Sequence, residues 1–82
     1  MKCAIFIKKL SGAARLYHCS PPFDTHKFVI VSAITVLSLP ETCIFPSNIN
    51  GEVKEWLELR GSFKGEINHE RALNNAGYEV KK

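Results

Sequence analysis

No apolar stretch in these 82 residues is long enough to cross a bilayer as a helix. The longest, Phe28 to Leu39, has twelve residues, against about 20 for a span, so no membrane partner is expected. A secretory signal is also missing. Lys2 precedes Ala4-Ile5-Phe6-Ile7, but Lys8-Lys9 interrupt that apolar core before any cleavage-like site. Cys3, Cys19 and Cys43 are odd in number and contain no Cys-x-x-Cys, which excludes a disulfide framework and predicts reduced thiols in a cytoplasm.

Signatures of chemistry are equally scarce. No glycine pattern of a nucleophile elbow surrounds a serine, and no phosphate-binding loop of the G-x-x-x-x-G-K-[ST] type occurs. His18, Cys19, His26, Cys43 and His69 offer zinc-binding atoms, but not as the close pairs that structural sites use. His18 and Cys19, being adjacent, would point to opposite faces of a strand. The acids Glu52, Glu55, Glu58, Glu66 and Glu70 read as solvated turn or helix-face residues. No enzyme, no catalytic residue, no metal and no cofactor are therefore expected. Gly61-Ser62-Phe63-Lys64-Gly65 brackets a hydroxyl and a lysine with glycines. Such a loop can cradle an anion, but it reads more simply as a turn.

What the chain does have is enough apolar material, 45% of residues, for one core. Residues 1–82 are expected to form one small domain, with 1–13 as an N-terminal strand or extension. Charge is uneven: five bases face Asp24 alone through Pro40, whereas six bases face seven acids from Glu41 onward. A basic half can attract nucleic acid or an acidic protein surface.

Lys2 to Leu10 and Arg15 to Ser20 read as strands, the second stopped by Pro21-Pro22. Lys27 to Leu37 is the strongest element. Six of the nine residues from Val29 to Leu37 are β-branched, which favours a pleated surface. Its alternate faces are both apolar, with Phe28, Ile30, Ile34 and Val36 on one and Val29, Val31, Ala33 and Leu37 on the other. Such a strand lies inside its sheet, and the second face could be covered by another copy in a homodimer. Pro40-Glu41 should end the run, and Thr42 to Phe45 restart it, with Pro46 marking an edge or strand end. Asn48-Ile49-Asn50-Gly51 reads as a turn returning through Glu52-Val53-Lys54. Glu55 to Leu59 fits strand or helix, and that choice stays open.

A helix from His69 to Ala76 is signalled by Asn68 as N-cap, Glu70 in the first turn and Gly77 as terminator. Tyr78 to Val80 adds an extended piece. The expected fold is α+β: a small antiparallel sheet of three to five strands with one short C-terminal helix packed on it. The expected binding surface runs from Trp56 to Arg71 and comprises Trp56, Phe63, Lys64, His69 and Arg71. It joins the residue types most enriched at binding hot spots to a glycine-punctuated stretch.

From about Tyr17 to Tyr78 the chain also resembles a class of small uncharacterised bacteriophage accessory proteins. The residues concerned are Tyr17-His18-Cys19-Ser20-Pro21-Pro22, Glu41-Thr42, Ile44-Phe45-Pro46 and Gly51-Glu52-Val53. Trp56, Glu58-Leu59, Gly61 to Gly65, His69-Glu70, Ala72-Leu73 and Ala76-Gly77-Tyr78 complete them. Arg60 departs from the turn-like residue expected before Gly61. The resemblance implies a non-enzymatic protein in the cytoplasm of an infected bacterium that binds a host or phage protein. The alternative is a small nucleic-acid-binding protein using the basic N-terminal half.

Overall fold

The computed structural model of the chain describes residues 2–81. Four long strands form a meander: β1 (Cys3–Leu10), β2 (Ala14–Phe23), β3 (His26–Val36) and β4 (Leu39–Ser47). A short β5 (Phe63–Lys64) pairs with β4, and the helix α1 (His69–Asn75) then crosses to β6 (Glu79–Lys81), which pairs with β1. The sheet order is β5-β4-β3-β2-β1-β6. The α+β class holds, but among the described residues there are six strands rather than three to five. The sheet is also mixed, because β6 runs parallel to β1. That parallel step follows from the helix, which carries the chain across one face and delivers it alongside β1 in the same direction.

β3 is interior, between β2 and β4, as its β-branched run predicts. Its helix-side residues Val29 and Val31 are fully buried with Tyr17, Cys19, Ile44, Leu73 and Tyr78. Phe23 and Tyr78 stack at 5.2 Å between centroids, and Tyr17 meets Phe6 edge-on at 5.7 Å. The opposite face carries a smaller cluster of Ala14, Leu16 and Ile30. Chain from the same molecule covers part of it. Gly51 lies over Leu10 and Leu16, and Val53 packs on the cluster.

Several boundaries differ from expectation at prolines. β2 continues through Pro21-Pro22 to the buried Phe23, with a cis Ser20–Pro21 peptide. Pairing with β1 ends at Ser20, and pairing with β3 breaks between His18 and Phe23. The missing N–H groups therefore cost no regular ladder bond. Pro40 does not end the previous run; it lies inside β4, and its carbonyl accepts from Gly65 N at 2.9 Å. The turn falls earlier, at Leu37-Ser38, both with positive φ (50° and 66°). Leu37 therefore sits at a hairpin tip, 93% exposed, and not on the strand face. Pro46, by contrast, marks a strand end as expected, one residue before the last of β4; it is buried, and its carbonyl accepts from Lys54 N.

Glu52 to Lys54 forms only an isolated bridge, Ser47↔Val53, and not a strand. Residues 55–59 are neither helix nor strand. They run beside β4 until Leu59 N donates to Ile44 O at 2.8 Å. The helix matches its signals closely. Asn68 accepts from Arg71 N, Gly77 N donates to Asn74 O, and Tyr78 N donates to Leu73 O, the paired closing bonds of a Schellman motif.

Candidate functional site

The five expected binding residues occupy separate places. Register puts Phe63 opposite Thr42, on the helix side of β4, whereas Phe45 lies on the other face. Phe63 packs against the main core, with the Arg71 guanidinium 4.8 Å from its ring centroid. Arg71 also pairs with Glu66. Lys64, the next residue, lies 3.6 Å from Glu41. His69 points elsewhere, its Nε2–H donating to the Ala13 carbonyl at 2.7 Å and tying the helix start to the β1–β2 turn. Trp56 lies on the open face of the sheet, edge-on to Phe45 at 5.3 Å and 79% exposed. The structure thus brings Phe63, Lys64 and Arg71 near one edge and sets Trp56 and His69 apart from them.

The glycine-bracketed loop has an internal job. Ser62 Oγ donates to Leu59 O at 2.8 Å and accepts from Ile44 N at 2.9 Å. A Cβ on Gly61 would sit 2.4 Å from the Ala72 carbonyl, so this glycine lets the loop press against α1. Arg60, the residue that departs from the expected pattern, joins three elements. It donates to the Ala76 carbonyl at the helix end, lies 4.6 Å from the Phe23 ring and pairs with Asp24 at 3.4 Å.

Among the described residues, one group with metal-ligating atoms does come together, a combination not foreseen from sequence. Ligand atoms of Glu41, Cys43 and Glu58 lie within 4.8 Å of one another. Cys43 and Glu41 alternate along β4, and Glu58 reaches them from the irregular segment. The Cys43 thiol donates to Glu58 Oε1 at 3.4 Å and to Glu41 Oε2 at 3.8 Å. Burial, and then the two carboxylates, push its pKa up to about 12. The thiol is thus a protonated hydrogen-bond donor to two acids, with Lys64 balancing one of them.

A partly enclosed cleft of about 190 Å³ lies between the start of α1 and the β1/β6 edge. Phe6, Tyr17 and Val80 form apolar walls, and Lys9, Arg15 and Glu70 bring charge. Lys9 and Arg15 are direct cross-strand partners, which places both on the helix side. A shallower hollow of about 180 Å³ shares these two bases and adds His69. Burial raises the Tyr17 pKa; Arg15, by hydrogen bond and charge, offsets part of that rise, and Glu70 adds to it. The lining contains no serine or cysteine nucleophile and is suited to holding an anionic or mixed polar–apolar group. No protein-family model, curated protein or solved structure matches this chain.

Proposed function

We propose that this chain is a non-enzymatic binding protein whose target is a protein surface, met through the exposed residues of the 55–58 segment. In the setting implied by its phage resemblance, the target is a host or phage protein. The observation that carries the reading is Trp56. The sole tryptophan of a domain with little core to spare is 79% exposed, and Leu57 beside it is 57% exposed. Burying an aromatic in so small a domain would stabilise it by about 2–3 kcal/mol. Holding it outward, against Phe45, is what a hot-spot residue requires. The basic N-terminal half supports a nucleic-acid target less well. Lys8 and Lys9 project to opposite faces, opposite Leu16 and Arg15 respectively, so they do not make one stripe along which phosphates could run.

The test pairs a stability measurement with capture from bacterial lysate. Trp56→Ala should keep a melting temperature within a few degrees of the parent, as exposed sites do, and lose the proteins that the parent retains. Retention of the same proteins by a folded Trp56→Ala chain would overturn the assignment to this segment. Loss of the fold would make Trp56 a structural residue instead.

A further inference from the structure

β6 pairs with β1 only at Cys3, Ala4 and Ile5. From Phe6 to Leu10, among the described residues, no strand pairs with β1 on its outer side. This unpaired edge of five residues is about 17 Å long; β1 bulges between Phe6 and Lys8, where its register to β2 shifts, and Lys8 to Leu10 beyond the bulge pair regularly, enough for a short added strand. The cleft lined by Phe6, Tyr17, Val80, Lys9, Arg15 and Glu70 opens beside this edge, on the helix side. An entering strand would turn every second side chain toward it.

We propose that the outer edge of β1 from Phe6 to Leu10, with its adjoining cleft, receives an extended acidic segment of a partner protein as an added strand. Backbone groups of the edge supply the pairing, and the cleft selects the side chain, as in other strand-addition sites. Charge decides the occupant. Lys9 and Arg15 line the cleft against one acid, Glu70, and Lys8 flanks the same edge on the opposite face. A second copy pairing edge to edge would set Lys8 and Lys9 near the same lysines of its partner, an unfavourable arrangement. Glutamates or aspartates alternating with apolar residues meet the reverse situation. This surface is distinct from the Trp56 segment, and either can fail without the other.

The experiment titrates the isotope-labelled full chain with acetyl-Val-Glu-Val-Glu-Val-Glu-amide and follows backbone amide shifts. Shifts should concentrate on Phe6 to Leu10 and Val80, and affinity should fall as salt rises from about 50 to about 300 mM. Lys9→Gln should weaken binding about fivefold, the scale of one exposed ion pair, with melting unchanged. Three comparison probes complete the design: the same peptide N-methylated at every residue, so that neither edge can donate, its lysine counterpart, and a short oligothymidylate. All three should bind much more weakly. Equal binding by the N-methylated peptide would show that no strand is added, and equal binding by the oligothymidylate would make the site a phosphate binder. No shift at millimolar peptide, or shifts centred elsewhere, would also overturn the proposal.

Discussion

Cys19 and Cys43 are buried thiols, whereas Cys3 is partly accessible. A thiol reagent should therefore modify one cysteine quickly in the native protein and the other two only on unfolding. Burial pushes Cys19 up to about 12, and burial with the two neighbouring carboxylates does the same to Cys43, from an ordinary value of 9.0. Both thiols stay protonated in the fold at a pH where the unfolded chain has already lost those protons, so their contribution is intact below about pH 9 and disappears as pH rises toward about 12. Tyr17 and Tyr78, raised by burial, act in the same sense. Denaturant midpoints should be level from neutral pH to about pH 8 and fall above about pH 9, and Cys19→Ala should make the fall shallower. Thr42 is a further residue on which much depends. Fully buried, it donates to Glu66 O at 2.9 Å and accepts from Asn68 N at 3.0 Å, anchoring the entry to α1. Thr42→Val should cost about 1–3 kcal/mol by leaving those groups without a partner, measurable by chemical denaturation.

At the level of elements, the turns show where the chain is under local tension. Leu37 and Ser38 both adopt positive φ without the Asn-Gly chemistry such a hairpin prefers. Replacing them together by Asn and Gly should stabilise the protein by about 1–2 kcal/mol, seen as a rise in melting temperature. Gly61→Ala should do the opposite, because its φ is 99° and its Cβ would meet the Ala72 carbonyl. The four long strands and the helix were legible from local signals, such as β-branching in β3 and the Asn68 and Gly77 caps around α1, whereas β5 lay in a loop that reads as a turn. The Leu37-Ser38 turn was not, since it is imposed by the pairing of β3 with β4, from Phe28↔Ser47 to Val36↔Leu39. The prolines misled for a related reason. Whether Pro21 and Pro40 break a strand depends on whether their N–H position faces a partner, which only the register decides; Pro46 does fall at the end of β4. The binding residues were drawn from one sequence window, but Trp56 and Phe63 flank a segment that passes from the open face to the helix side. The cleft could not be read at all, because Phe6, Arg15 and Glu70 meet only through tertiary packing.

Across the whole molecule, the two faces of the sheet have different fates. The helix side is sealed by Ala72, Leu73, Ala76 and Tyr78, while the other side is only partly covered and leaves Ile5 and Ile7 each 42% exposed. Native-state hydrogen exchange should accordingly be slowest in β2, β3 and β4 and fastest in residues 55–58 and β6. The parallel pairing of β6 with β1 has a further consequence for the protein as it is made. Translation delivers the meander first, with Tyr17, Val29, Val31 and Ile44 facing water, and delivers the residues that cover them last. A nascent chain stalled near Gly65 holds most of its strands but lacks α1 and Tyr78, the main part of its helix-side cover. Until residues 69–81 leave the ribosome, that apolar wall is open to chaperones and to other nascent chains.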